Sequence, residues 1–298
     1  MPYLRVLLLI FVGALLQARA LAGQIDPDLP VISYVQYQAL NLLDPGHPLT
    51  ISGQLRVPTV EGNGNEERGI PAVVLLHGSA GVDSRGSFYA DALNSAGIAT
   101  LEIDMWAARG LMGGGDRPAL PTLTVPDAFG ALEYLADVPG IDPDRVGVMG
   151  FSWGAVVTML SANEYYAQAF GNGRHFAAHV AHYPVCWAYS AGIPGIYFNE
   201  LTDAPVLIQV GQLDDYDEGG AVCESLVDSL DEPFRSQASV VVYPNAHHAW
   251  DRLQPAITVF DPFSHLGAGG EVDIVPNPGK AHQSGKKAVE FFSDAFGL

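Results

Sequence analysis

The sequence predicts an α/β fold in which a mostly parallel, doubly wound sheet carries helices on both faces. Apolar, β-branched stretches recur along the 298 residues, with helical patterns between most of them. Strands that alternate with helices form βαβ units, and right-handed crossovers place the helices on both sides of the sheet. No internal repeat or linker divides the chain, so residues 23–298 are predicted to form one domain.

About eight strands are predicted. The first two are separated by the turn sequence DPGHP, and the later ones include continuous apolar runs such as IPAVVLLHG. Runs of that kind indicate strands that are buried on both faces. The predicted strands cover residues 31–40, 49–58, 70–78, 97–105, 145–150, 176–185, 204–211 and 238–244.

Helical patterns lie in the intervals between strands, and two longer stretches have no regular pattern. The predicted helices cover residues 88–96, 127–137, 155–169, 221–230 and 284–296. The irregular stretches are 109–126, which is rich in glycine and proline, and 251–283, which is long. Long loops in a compact domain are more often functional than accidental, so both are expected to pass over the sheet and shape a pocket.

Residues 1–22 have the layout of a secretory signal peptide. Arg5 precedes the apolar run 6–16, and small residues then offer cleavage after Ala20 or Ala22. The run has 11 residues, which is short for a membrane span of about 20 residues. We therefore expect an exported protein, periplasmic or secreted, without stable membrane association after removal of this segment. A retained N-terminal anchor is the alternative.

The chain is strongly acidic. Lysine and arginine number 14 against 33 aspartates and glutamates, which gives a formal net charge of −19. A surface of this sign repels phosphate groups, so nucleic acids and anionic membrane surfaces are not expected as partners. A small molecule is the expected partner, and the composition does not indicate an oligomeric state.

The segment RVGVMGFSWGAVV contains the motif G-x-S-x-G at residues 150–154, between a predicted strand and a predicted helix. This is the context of a nucleophile elbow, in which the serine, here Ser152, stands on a sharp turn. An acid and a histidine follow later strands, in the chain order Ser…Asp…His of α/β-hydrolases. The N–H groups of Trp153 and of Ser79, in the loop after the third strand, are the expected oxyanion donors.

The acid and the histidine each have two neighbouring candidates. Asp214 and Asp215 follow one strand, and His247 and His248 follow the next. The histidine would take the serine proton, and the carboxylate would orient the imidazole. Asp214, the third residue after the glycine at its strand end, is favoured as the acid, and His248 is favoured as the base.

Six stretches between about residues 70 and 250 carry a pattern found in one known family. They read LLHGSAG, EIDMWAARG, DAFGALEYLADVPGIDPDRVGVMGFSWGA, YPVC, VLIQVGQLDDYDEGGAVCESL and VVVYPNAHHAWD. Together they resemble the dienelactone hydrolase family of α/β-hydrolases. The resemblance implies the α/β-hydrolase fold, with His248 as the catalytic histidine and Asp214 as the acid.

Two positions differ from the namesake enzymes of this family. Those enzymes have a cysteine at the elbow, where this chain has Ser152, and a glutamate near the oxyanion loop, which here reads HGSAG. The resemblance therefore implies a general serine esterase. It also implies that the strand ends near Cys186 and Cys223 are neighbours, so a disulfide is expected. Two separate thiols are the alternative.

Arg109 and three histidines are further candidates for binding roles. Arg109 follows EIDMWAA, where the family often has an arginine, and it either binds a substrate carboxylate or pairs with an acid. His175, His179 and His182 do not form a convincing metal site, because the last two point to opposite faces of a predicted strand. No metal or other cofactor is expected.

These features predict a serine hydrolase that cleaves a carboxylic ester or lactone through an acyl-enzyme intermediate. A peptidase or an acyltransferase with the same triad is the alternative, and a non-catalytic binding protein on this scaffold is a third hypothesis. A peptidase of this fold usually carries an added domain, and none is evident in the sequence. A binding protein would have no reason to keep all three triad groups.

Overall fold

The computed structural model describes residues 29–59 and 68–298. The predicted signal peptide, residues 1–22, lies outside these ranges. Within them, no helix is both long enough and apolar enough to cross a membrane.

Eight strands of the described residues form one sheet. They are β1 (Val31–Ala39), β2 (Leu49–Val57), β3 (Ile70–Leu76), β4 (Ala99–Asp104), β5 (Ile141–Phe151), β6 (His179–His182), β7 (Val206–Leu213) and β8 (Ala238–His247). Their order is β1-β2-β4-β3-β5-β6-β7-β8. The pairs β1·β2 and β2·β4 are antiparallel, and all pairs from β4 to β8 are parallel. The predicted mostly parallel sheet is confirmed.

Helices cover both faces of the sheet, as predicted. The longer ones are α1 (Ser84–Ser95), α2 (Val125–Ala136), α3 (Trp153–Ser161), α4 (Glu164–Phe170), α5 (Ala221–Asp228) and α6 (Pro278–Phe296). Successive residues of β3 point to opposite faces, so Val74 packs in the core beneath α2 and α3, while Val73 packs in the core beneath α1 and α6. This alternation explains why the central strands are apolar throughout.

Two segments differ from their predicted structure. The helix predicted over 155–169 is divided into α3 and α4, because the side-chain amide of Asn163 donates to the carbonyl oxygens of Met159 and Leu160 and ends α3. The stretch 251–283, predicted to be irregular, contains an antiparallel hairpin of β9 (Ile257–Asp261) and β10 (Gly270–Ile274). Its last residues already belong to α6.

Candidate active site

Ser152 stands at the sharp turn between β5 and α3. Its backbone has a φ of 51° and a ψ of −110°, a conformation that is strained for a residue with a Cβ atom. A side chain at Gly150 would collide with the backbone of Gly154, and one at Gly154 would collide with the carbonyl group of Leu76. The two glycines therefore allow the tight turn that presents the serine at the carboxyl end of β5.

The hydroxyl group of Ser152 lies in a hydrogen-bonded chain with His248 and Asp214. Nε2 of His248 is 2.9 Å from Oγ of Ser152, and Nδ1 is 2.9 Å from Oδ2 of Asp214. The three residues follow β5, β8 and β7, whose carboxyl ends lie along one edge of the sheet. Asp214 and His248 are buried, which strengthens their interaction. The arrangement suits a nucleophile, a general base and an orienting carboxylate.

Asp215 and His247, the second candidates for the acid and the base, make other contacts. Oδ2 of Asp215 accepts a hydrogen bond of 2.8 Å from the backbone N–H of Asp273 in β10. His247 is the last residue of β8 and pairs with Leu213 in the sheet. The structure therefore brings Asp214 and His248, rather than their neighbours, to the serine.

Replacing Asp214 with asparagine is expected to lower kcat for ester hydrolysis by about 10⁴-fold. The amide would favour the wrong tautomer of His248 while leaving the geometry in place. Steady-state hydrolysis of a p-nitrophenyl ester measures the loss, with Asp215→Asn as the matched control. The control is expected to stay near the parental rate. Equal losses in both variants would contradict the assignment of the acid.

Aromatic rings and a buried polar cluster hold His248 in position. The rings of Tyr183 and Tyr216 lie 4.7 Å and 4.3 Å from the His248 ring. The hydroxyl of Tyr183 donates to Asp251 at 2.5 Å and accepts from Arg85 at 3.3 Å. Burial raises the pKa of Asp251. The charge of Arg85 and the hydrogen bonds from Tyr183 and Tyr89 act in the opposite direction and lower it. This cluster fixes one side of the histidine.

Ser79 and Trp153, the expected oxyanion donors, lie near Ser152. Both line a cavity beside Ser152. The carbonyl oxygen of Ser79 accepts hydrogen bonds from Gly114 N at 2.7 Å and Trp106 Nε1 at 3.1 Å, which hold the loop. Within the described parts of the chain, the N–H groups of Ser79 and Trp153 donate to no carbonyl oxygen. Both are therefore available to a tetrahedral oxyanion.

Arg109 does not reach Ser152. Its guanidinium binds Asp127 with N–O distances of 2.7 Å and 3.1 Å and donates to the carbonyl oxygen of Met105 at 2.8 Å. Burial raises the pKa of Asp127 to about 6, although the hydrogen bond and the positive charge of Arg109 act to lower it. Arg109 lines neither cavity that contacts Ser152. The structure thus corrects the expectation of substrate binding and shows the alternative, an ion pair.

Arg117 and Asp261 line both cavities at Ser152. The sequence alone did not assign these two charged residues to the site. Arg117 belongs to the irregular stretch 109–126, and Asp261 ends β9. Nη2 of Arg117 lies 2.8 Å from Oδ2 of Asp261. The only sequence signal for Arg117 was its place in a loop expected to shape the pocket.

Cys186 and Cys223 form a disulfide with an S–S distance of 2.01 Å and a Cα–Cα distance of 5.1 Å. Asp217 lies beside it and accepts hydrogen bonds of 2.8 Å from the backbone N–H groups of Cys186 and Trp187. Burial raises the pKa of Asp217 to about 7, and the charge of Asp214 adds to the rise. The two sulfurs and this carboxylate lie close together, but bonded sulfurs offer no thiolate to a metal ion.

Replacing both cysteines with alanine is expected to lower the free energy of unfolding by about 3–4 kcal/mol. The bond joins residues with a sequence separation of 37, and its loss frees the unfolded chain to sample more conformations. Urea unfolding followed by tryptophan fluorescence measures the change. An unfolding midpoint equal to that of the parent protein would contradict this expectation.

Asp217→Asn is expected to weaken the pH dependence of stability between pH 5 and pH 8. The folded pKa of about 7 lies above the ordinary value of 3.8, so the folded state binds more protons and loses stability as the pH rises towards 7. The parent is therefore expected to lose about 2 kcal/mol more than the variant over this interval. Urea unfolding at the two pH values tests this, and equal losses would refute it.

Known proteins resemble this chain in sequence and in fold. An uncharacterized protein of Mycobacterium tuberculosis is 31% identical over 185 residues, which cover 60% of this chain and 63% of that protein. The chain therefore matches less than two thirds of that relative's length. The dienelactone hydrolase of Anabaena variabilis has a TM-score of 0.56 and 21% identity, covering 89% of this chain and 98% of its own. Esterase 2 of Thermogutta terrifontis has a TM-score of 0.60 and 12% identity, covering 92% and 98%.

At such identities, the two structural matches show a common fold. The sequence profile of the dienelactone hydrolase family adds a match over residues 63–296. That range includes β3 to β8, whose ends carry the Ser152–His248–Asp214 chain. The protein therefore belongs to the dienelactone hydrolase family.

Proposed function

We propose that the protein is an exported serine hydrolase that cleaves a carboxylic ester or lactone through an acyl-enzyme intermediate. The observation that carries the proposal is the chain of 2.9 Å contacts from Ser152 through His248 to Asp214, beside an open cavity. Membership of the dienelactone hydrolase family supports ester hydrolysis as the reaction class. The serine at the elbow favours a general esterase.

The first half of the proposed reaction forms the acyl-enzyme. Oγ of Ser152 attacks the carbonyl carbon while its proton passes to Nε2 of His248, and Asp214 stabilises the imidazolium. The negative charge moves to the carbonyl oxygen, where the N–H groups of Ser79 and Trp153 bind it. The C–O bond to the alcohol then breaks, and His248 gives the proton to the departing oxygen.

The second half releases the acid. Water attacks the acyl carbon while His248 removes one of its protons, and a second tetrahedral oxyanion forms in the same position. Collapse of this intermediate breaks the bond to Ser152, whose oxygen regains a proton from His248. The burial of Asp214 and His248 keeps the pair oriented through both halves.

A chromogenic ester series from acetyl to octanoyl tests the proposal. The protein is expected to hydrolyse at least one member, and rapid acid quenching is expected to trap the acyl group on the peptide that contains Ser152. Intact mass spectrometry detects this adduct. Hydrolysis without any adduct on that peptide would contradict the acyl-enzyme route.

The same assay separates the alternative reactions. An acyltransferase would give faster p-nitrophenol release, and an ester product, when an alcohol is added as a second acceptor. A peptidase would cleave a peptide p-nitroanilide faster than an ester. A binding protein would do neither. We expect the protein to release the free acid from esters under all these conditions.

Export is supported by two independent features. Residues 1–22 have the order of a charged start, an apolar run and small residues. The Cys186–Cys223 disulfide suits an oxidising compartment outside the cytoplasm. Cell fractionation and N-terminal sequencing of the expressed protein test the proposal, with a new N-terminus after Ala20 or Ala22 as the expected result. Recovery of uncleaved protein from the cytoplasm would contradict it.

A further inference from the structure

Two cavities open beside Ser152, and they differ in size and lining. The smaller has a volume of about 60 Å³ and is lined mainly by apolar side chains, among them Trp153, Val156 and Ile196. The larger has a volume of about 290 Å³, and its lining includes the polar side chain of His248. Ser152 lies in the walls of both, so the cavities meet at the nucleophile.

Arg117 and Asp261 are the charged pair at the boundary between the two cavities. Both belong to both walls, as do Ser79, Ser152 and Tyr216. The side chains of the pair are largely buried and lie 2.8 Å apart. The guanidinium of Arg117 also lies over the rings of Trp153 and Phe263, 5.7 Å and 5.8 Å from the centroids. Its Nη1 donates to Oγ of Ser79 at 2.6 Å. These contacts hold the boundary in place.

The position of His248 distinguishes the cavities chemically. His248 contributes to the wall of the larger cavity and not to that of the smaller one. In acyl transfer, the histidine gives its proton to the leaving group, so an alcohol departs on the side of His248. The larger cavity is therefore the place of the alcohol, and the smaller one is the place of the acyl group on Ser152.

The smaller cavity suits a short acyl chain. An apolar cavity of about 150 Å³ accommodates benzene, with its six carbon atoms. By the same proportion, a cavity of about 60 Å³ has room for about two or three carbon atoms. A longer chain would have to push against the Arg117–Asp261 pair, and overfilling a packed apolar space is costly.

We propose that Arg117 and Asp261 determine the specificity of the enzyme by dividing its site into an acyl cavity and an alcohol cavity. The substrates are then esters of acetic or propionic acid with a larger alcohol. This inference rests on the proposed ester hydrolysis, to which it adds the acyl length and the two residues that set it.

Two double variants separate the bulk of the pair from its charge. R117A/D261A removes both side chains and joins the cavities without leaving one charge buried and unpaired. R117M/D261N keeps the volume and removes the charges. The control is R56A/D91A, which removes another arginine–aspartate ion pair. In that pair Nη1 of Arg56 in β2 lies 2.7 Å from Oδ1 of Asp91 in α1.

The readout is the ratio of kcat/KM for p-nitrophenyl hexanoate to that for p-nitrophenyl acetate. Each methylene group that an enlarged apolar cavity buries raises kcat/KM about fourfold. R117A/D261A is therefore expected to raise the ratio about tenfold or more. R117M/D261N and R56A/D91A are expected to keep ratios near that of the parent.

Several outcomes would overturn the inference. The first is an unchanged ratio in R117A/D261A with acetate hydrolysis retained, and the second is an equal rise in R117M/D261N. The third needs no variant: a parent protein that hydrolyses hexanoate as fast as acetate does not have the proposed boundary. If the parent protein hydrolyses none of the esters, the proposed function is refuted, and the inference falls with it.

Discussion

Replacing Ser152 with alanine is expected to lower kcat for ester hydrolysis by about 10⁶-fold. The hydroxyl group lies 2.9 Å from Nε2 of His248, and without it the acyl-enzyme cannot form. The oxyanion donors and substrate binding remain, so an acceleration of about 10³–10⁴ over the reaction in water can persist. Steady-state kinetics measures the loss, and mass spectrometry after acid quenching is expected to find no acyl adduct.

Ser79→Ala is the matched control, because it makes the same chemical change at a second serine of the site. It keeps the backbone N–H that is expected to bind the oxyanion and removes only the hydroxyl that accepts from Arg117. Its loss is therefore expected to be smaller than the roughly 10²–10³-fold that follows removal of one oxyanion donor. Parental activity in Ser152→Ala would show that another group is the nucleophile.

His248→Gln is expected to lower kcat by a similar factor, about 10⁶-fold. Glutamine has an amide group that can face Asp214 but no basic nitrogen that can take the serine proton. Because His248 is 3% exposed, a polar replacement of similar size is preferred to alanine. Alanine would leave Oδ2 of Asp214 buried without a partner, and only Oδ1 would keep its hydrogen bond from the backbone N–H of Tyr216. The same ester assay measures the loss, and circular dichroism checks that the variant is folded.

His247→Gln controls for the neighbouring histidine. His247 ends β8 in register with Leu213, away from the serine contact made by His248. Its replacement is expected to leave kcat close to the parental value. A large loss in His247→Gln combined with a small loss in His248→Gln would reverse the assignment of the base.

His77 holds the backbone of the loop HGSAG, which contains the proposed oxyanion donor Ser79. Nε2 of His77 accepts a hydrogen bond of 2.9 Å from the backbone N–H of Met105, and Nδ1 lies 2.8 Å from the carbonyl oxygen of Gly78. Both ring nitrogens are thus used to hold the loop between β3 and α1. In the proposed mechanism, His248 alone activates the nucleophile.

The fold and the candidates for the triad were accessible from sequence because their signals are local. Each central strand is a short apolar run, and polar residues appear directly where a strand ends. Carboxyl ends of parallel strands meet at one edge, so the sequence alone predicts a common site for Ser152, Asp214 and His248. Asp214 and Asp215 are harder to separate by sequence, because adjacent residues differ only in the direction of their side chains.

The class of fold, the elbow at Ser152 and the order of the groups after the strands follow from local signals. Periodicity and turn residues specify all three within short segments of the chain. Which arginine lies at the site depends instead on contacts between distant segments. Arg109 pairs with Asp127, whereas Arg117 meets Asp261, a residue 144 positions away. The backbone of the irregular stretch 109–126 follows no periodic pattern, so the partner of each side chain depends on contacts that form only when distant segments pack together.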